Sequence, residues 1–183
     1  DLTGKHVLVQ GVGAVGSEMA RLLQELGAKI TICDIRDDRV ASLAQEFGYA
    51  VVDDEKHLDV ACDIYAPCAR GAGLNDETIP RLRCKIIAGC ANNQLLEPRH
   101  GEALRQLGIL YVPDYVINAG GIINVSVELR PGGYDEAFAM RKIDTIYQSL
   151  EQVFGIAERE GIATNIASER LAERRLDAAK QSA

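Results

Sequence analysis

Residues 11 to 16, Gly11-Val12-Gly13-Ala14-Val15-Gly16, carry the spacing GxGxxG. In that spacing the first glycine permits a tight turn and the second lets the backbone approach a pyrophosphate. The third lets a helix pack closely on a strand. Alone such a run says little, because glycines also cluster in plain turns. Its context is what strengthens it. The run follows the apolar stretch His6-Val7-Leu8-Val9-Gln10 and opens a segment with Met19, Leu22, Leu23 and Leu26 at helical spacing. A helix beginning there aims unpaired N–H groups and the positive end of its dipole at phosphate oxygens. Asp34 ends the next apolar run, Lys29–Cys33, eighteen residues beyond Gly16. An acid in that place accepts hydrogen bonds from the adenosine ribose hydroxyls, and it repels a 2′-phosphate. The pattern therefore favours NAD over NADP, with Asp34 and its neighbour Ile35 as contacts. Arg36 and Arg39 pull the other way, since arginine pairs with phosphate, although both also fit as solvated charges at a helix start.

These groups need a frame, and the rest of the chain supplies one. Short apolar runs alternate with longer segments of helical period, as in βαβ units around a parallel sheet. Further strands are expected at Ala50–Val52, Cys62–Tyr65, Lys85–Ala88 and Ile109–Val112. A second helix carries Val40, Leu43, Ala44 and Phe47, with Gly48 as its stop, and another lies near Pro98–Leu107. After Gly120-Gly121 the character changes. A helical stretch over Ile122–Leu129 is broken by Arg130-Pro131-Gly132-Gly133. A long helix follows with Ile143, Tyr147, Leu150, Phe154 and Ala157 on one stripe, then a last helix from about Thr164 to Lys180. The expected fold is α/β, a Rossmann-type doubly wound and mostly parallel sheet over residues 1–130, with a C-terminal helical extension over 131–183 of the same domain.

Composition narrows the classes. The 183 residues have a formal net charge of -7 and are 47% hydrophobic, which suits a globule with a real core and argues against a nucleic-acid partner. No apolar run approaches the ~20 residues of a membrane span, so no membrane partner is expected. Five cysteines without a CxxC pair suggest reduced, structural thiols and a cytoplasmic setting. Zinc is not expected, because no Cys/His spacing suits a tetrahedral site. His6, His57 and His100 lie in a strand or beside helix starts and make poor catalytic candidates. No tyrosine has a lysine four residues on, which argues against a Tyr-x-x-x-Lys dehydrogenase.

Three longer stretches are more specific. "CDIYAPCARGAGLN" (62–75), "IIAGCANNQL" (86–95) and "GILYVPDYVINAGGIINV" (108–125) resemble the leucine, phenylalanine, valine and tryptophan dehydrogenases of the glutamate dehydrogenase superfamily. The resemblance runs from "LVQGVGAVG" to the tail "GIATNIASERLAERR" and is nearest to the leucine enzymes. It implies reversible NAD-dependent oxidative deamination of a hydrophobic, branched-chain L-amino acid to its 2-oxo acid and ammonia, with a phenylalanine- or tryptophan-specific enzyme as the alternative. It also implies that Gly11 to Val15 cradle the pyrophosphate, and that Ala66, Pro67 and Cys68 line the path from adenosine to nicotinamide. Ala88, Gly89, Ala91 and Asn92 would sit near the nicotinamide ribose, with Asn118 beside the nicotinamide, orienting the substrate carboxylate. Leu150 and Val153 would face the substrate side chain. Read without the resemblance, Leu150 and Val153 are core residues and Asn118 is a helix N-cap. Ala14 stands where the family commonly has asparagine, and Arg70 and Gly73 depart from its usual loop.

The family's catalytic lysine, in a "GGGK" context, and its aspartate belong to an N-terminal substrate domain. None of Lys5, Lys29, Lys56, Lys85, Lys142 and Lys180 has such surroundings. No catalytic residue is expected in this chain, which reads as a cofactor domain that binds NAD without turnover of its own. The full-length protein would be a homo-oligomer acting on a small-molecule substrate. The rival reading is a nucleotide-sensing module, which would share the glycine loop and strand-end acid but leave "PDYVINAGG" unexplained.

Overall fold

The computed structural model describes residues 1–181. Six strands, β1 (His6–Gln10), β2 (Lys29–Cys33), β3 (Ala50–Val51), β4 (Ile64–Pro67), β5 (Ile86–Ile87) and β6 (Leu110–Tyr111), form one sheet in the order β3-β2-β1-β4-β5-β6. Every pairing is parallel. The chain starts in the middle, winds outward through β2 and β3, then returns to β4 on the other flank of β1. The crevice at that reversal, outside the carboxyl ends of β1 and β4, is where doubly wound sheets bind ligands.

Among the described residues seven α-helices accompany the sheet: α1 (Ala14–Glu25), α2 (Asp37–Phe47), α3 (Arg99–Gln106), α4 (Asp114–Ile117), α5 (Gly120–Glu128), α6 (Glu136–Glu160) and α7 (Thr164–Gln181). Strands buried on both faces read as continuous apolar runs. Val7, Val9, Ile30, Ile32 and Ala66 pack with Met19, Leu23, Val40 and Leu43 on the α1–α2 face. Leu8, Tyr65, Ile87 and Tyr111 pack with Leu58 and Leu104 on the other. Gly48 and Gly161 end α2 and α6 in the left-handed conformation that glycine adopts without strain.

Three local expectations shift. The fourth strand runs over 64–67, two residues later than its apolar run suggested, because a strand covered on both faces has no alternation to mark its ends. Leu22 and Leu26 are exposed, so α1 is held by Met19, Leu23 and Ala20. On α6 the buried residues are Ala139, Val153 and Ile156, while Tyr147 is 70% exposed, so the buried stripe is rotated from the expected one. The C-terminal helices pack back on the sheet. Thr164 Oγ1 donates to the Tyr111 carbonyl at 2.6 Å, and Asn165 Nδ2 donates to the Pro98 carbonyl at 3.0 Å. Among the described residues, no helix is long and apolar enough to cross a membrane.

Candidate functional site

The glycine loop lies at the carboxyl end of β1, and its three glycines stand in three different environments. Gly11 has φ +91, and a Cβ there would lie 2.3 Å from the Ala69 Cβ. A Cβ on Gly16 would lie 2.0 Å from the Gly11 carbonyl oxygen. These two positions are closed by the protein itself, which brings α1 hard against the strand end. Gly13 is open: a Cβ there would meet nothing nearer than the Arg39 guanidinium at 3.8 Å. Gly13 also caps α1 with no side-chain bond to the first-turn N–H groups. A loop tight at its first and third glycines and bare at its second fits the approach of a pyrophosphate. Val12 contributes only backbone here, since its side chain is in the core, whereas Val15 is exposed.

Asp34 follows β2 and is tied to the loop. Its Oδ2 accepts from the Val12 N–H at 2.8 Å and its Oδ1 from the Arg36 N–H at 3.1 Å. Those bonds fix the carboxylate beside the turn and leave lone pairs for two vicinal hydroxyls. Ile35 beside it is 70% exposed. Arg36 is engaged by Asp38 at 2.9 Å, and Arg39 reaches the Val12 carbonyl at 3.4 Å. Both arginines and Asp38 line a cavity of about 380 Å³ over Gly13, Ala14 and Ser17.

Across the crevice the ends of β4 and β5 come together. Ala66 and Pro67 are buried and Cys68 half-buried, so Ala66 and Pro67 form the floor of the site. A Cβ on Gly89 would lie 2.2 Å from the Pro67 carbonyl oxygen, which only glycine tolerates. Ala88 is half-buried, Ala91 is buried and Asn92 is exposed. Asn118 lies at the end of α4 and donates through Nδ2 to Asn92 Oδ1 at 2.6 Å and to the Cys90 carbonyl at 3.5 Å. It does not cap the next helix, whose N-cap is Ala119. The local explanation for this asparagine therefore fails, and its side chain points across to the β5 loop.

Three positioning residues escaped the sequence reading. Buried Asp114 accepts from the Asn93 N–H at 2.8 Å and from the Tyr111 hydroxyl at 2.6 Å, linking "PDY" to "ANN". Gln94, 1% exposed, donates through Nε2 to the carbonyls of Gly89 and Ala91. All three lie inside the quoted motifs, so the signal was present in strings read only for their contact residues.

Leu150 and Val153 lie on α6, and Val153 lines a cavity shared with Val116, Ala119 and Ile123, residues on either side of Asn118 in the chain. Val153 is fully buried with Ile156 and Ala167, a core role, and Leu150 is half-buried. The open apolar side chains that follow Asn118 are Ile122 and Val125 on α5, 74% and 57% exposed.

Cys68 and Cys90 are neighbours behind the loop. The β4–β5 register, Tyr65 opposite Ile87, carries forward to place them side by side. The Cys68 thiol bonds to Cys90 and lowers it to about 7, against the opposing effect of burial, while Cys68 is pushed up. All five thiols are free. A thiol near 7 is part thiolate at neutral pH and reacts as such. Iodoacetamide is expected to label Cys90 first, with a rate that climbs as pH rises through 7, read by peptide mass spectrometry. Faster labelling of Cys33 or Cys62, whose burial pushes both up to about 12, would contradict this.

Residues 32–149 match the family model for glutamate/leucine/phenylalanine/valine dehydrogenases. Leucine dehydrogenase of Geobacillus stearothermophilus is 50% identical over 99% of this chain and 49% of its own length. The crystal structure of L-tryptophan dehydrogenase from Nostoc punctiforme superposes with a TM-score of 0.94 at 44% identity, covering 98% of this chain and 53% of that one. A glutamate dehydrogenase from Thermus thermophilus shares the fold, with a TM-score of 0.73 at 23% identity over 98% of this chain and 47% of that one. The chain spans about half the length of the curated relatives it matches.

Proposed function

This chain belongs to the glutamate/leucine/phenylalanine/valine dehydrogenase family, and from that premise we propose that it is the NAD(H)-binding half of an amino-acid dehydrogenase. The whole enzyme oxidatively deaminates a hydrophobic L-amino acid to its 2-oxo acid and ammonia. The observation that carries the reading is the pairing of an open Gly13 with Asp34, whose carboxylate is held at 2.8 Å from the Val12 N–H. Such a site takes a pyrophosphate on the loop and ribose hydroxyls on the acid. Bound NAD supplies the hydride acceptor.

This chain's residues bind and orient. The Asp34 carboxylate selects against a 2′-phosphate by charge. Asn118, held by Asn92, presents a polar group at the far end of the crevice for the substrate carboxylate. Ile122 and Val125, with Val153 in the cavity behind Asn118, suit an aliphatic side chain, which favours leucine, isoleucine or valine. Relatives that are tryptophan and phenylalanine dehydrogenases keep an aromatic substrate as the second reading. The general base, a lysine with an aspartate, comes from outside these 183 residues, and full-length protein assembles as a homo-oligomer.

A chimera tests the reading. Joined behind the N-terminal half of the Geobacillus leucine dehydrogenase, the chain is expected to reduce NAD with leucine. Alone it is expected to bind NADH and produce no NADH from any amino acid. A folded chimera that binds NADH yet deaminates no hydrophobic amino acid would overturn the proposal, as would steady-state deamination by the chain alone.

A further inference from the structure

Asp54, in the turn after β3, holds a carboxylate with one engaged oxygen and one orphan. Arg70 donates to Oδ2 at 3.1 Å, while Oδ1 is buried without a hydrogen-bond partner. Buried polar atoms are almost always satisfied, so an orphan oxygen calls for a ligand. Two other donors face it. His57, from the 3-10 turn over His57–Asp59, brings Nδ1 to 3.9 Å from Oδ1. Cys33, fully buried at the end of β2, completes a trio whose ligand atoms all lie within 4.8 Å of one another. The Cys33 thiol makes only a long contact, 3.9 Å, to the Val9 carbonyl. The Tyr65 hydroxyl engages His57 Nε2 at 3.2 Å, and the two rings stack. That contact fixes the imidazole and leaves Nδ1, which rests on the Asp54 main-chain carbonyl, as the nitrogen turned toward the carboxylate.

We propose that Cys33, Asp54 and His57 bind one divalent transition-metal ion of the zinc type, with water in the fourth position. Thiolate, imidazole and monodentate carboxylate are donors that zinc accepts, and three protein ligands with one open place is a recognised zinc arrangement. Calcium and magnesium want oxygen donors and are poorly served by a thiol. Bonds of about 2.0–2.3 Å at tetrahedral angles set ligand atoms roughly 3.3–3.8 Å apart, so the trio closes by about 1 Å on loading. Loading breaks the S–H bond of Cys33 and releases its proton to solvent. Thiolate and carboxylate then balance the dication. His57 Nδ1–H gives up its bond to the Asp54 carbonyl, and the ring exchanges with solvent to the Nε2–H tautomer, so that Nδ1 ligates while Nε2–H donates to the Tyr65 hydroxyl that orients the imidazole. The open position faces a cavity of about 370 Å³ lined by Asp54, His57, Tyr65, Arg70 and Gln10. The ion would clamp the 53–59 turn to the end of β2, one residue from Asp34. Spacing hid the site: 33, 54 and 57 match no paired-ligand pattern, and only the β2–β3 pairing brings them together.

Cobalt(II) reads the ligand set directly. The chain, stripped with EDTA and kept reduced with a phosphine, is titrated with Co²⁺ and then with Zn²⁺. One equivalent is expected to give visible tetrahedral bands and a near-ultraviolet thiolate-to-cobalt band, both erased by zinc. Cys33→Ser should abolish the thiolate band. His57→Gln, at a half-buried position, should weaken cobalt at least tenfold while circular dichroism stays that of the parent. Cys90→Ser should change nothing. Absence of the thiolate band at millimolar cobalt overturns the proposal. So does a band that survives Cys33→Ser or disappears in Cys90→Ser, which would place cobalt on the Cys68–Cys90 pair.

Discussion

Gly13→Ala is expected to weaken NADH binding at least tenfold while lowering the melting temperature by at most about 4 °C, and Gly16→Ala to lower both, with the larger fall in melting temperature. The two glycines lie three residues apart in one motif, yet the added methyl meets different things. On Gly16 it lands 2.0 Å from the Gly11 carbonyl oxygen, a backbone atom, so α1 must move off the strand. Overpacking costs about 1–3 kcal/mol, more where backbone must shift. For a chain of this size that is a fall in melting temperature of roughly 2–12 °C, with the cradle lost as well. On Gly13 the methyl meets nothing within 3.8 Å and the backbone, at φ -64, already suits alanine. The poorer N-cap costs at most about 1 kcal/mol. What the methyl does fill is the open space over the loop, where the proposed pyrophosphate would lie, and losing about 1.4 kcal/mol of binding is already tenfold. Thermal unfolding and NADH titration of both variants separate packing from binding. Unchanged NADH affinity in Gly13→Ala would mean the phosphates do not lie on this loop.

Asp34→Ala is the second large effect, and it has two parts. A hydrogen bond to a charged acceptor contributes about 1.5–3 kcal/mol, so the loss of even one should weaken NADH binding roughly 10–100-fold. NADPH should hold its affinity or gain, because the repelling carboxylate is gone while Arg39 and Arg36 remain near the Gly13 cavity. The NADH/NADPH ratio therefore falls by more than the NADH loss alone. Asp34→Asn, which keeps the Val12 N–H bond but not the charge, should give an intermediate ratio. Equal losses for both cofactors in Asp34→Ala would point to a collapsed loop.

Much of this was legible before the structure. The strand–loop–helix start, Asp34 and the sheet class follow from local periodicity and glycine spacing, because each is set within one βαβ unit. The long-range pieces were not. Asn118 reads locally as a cap, and only the meeting of α4 with the β5 loop turns it toward Asn92. Leu150 belongs to the apolar stripe read along α6 and Val153 does not, because a helix packed against both α5 and α7 buries more than one stripe. The floor of the crevice depends on Gly89 lying under Pro67, a contact between strands that no single stretch announces. The cluster at Cys33, Asp54 and His57 was missed for the same reason.

The most direct measurement is a titration of the purified chain with NADH and with NADPH, followed by nicotinamide fluorescence. A loop open at Gly13 beside a fixed Asp34 carboxylate requires saturable NADH binding, with NADPH weaker by about tenfold or more, the equivalent of roughly 1.4 kcal/mol. Tighter binding of NADPH, or no saturable binding of either cofactor by the folded chain, would contradict it.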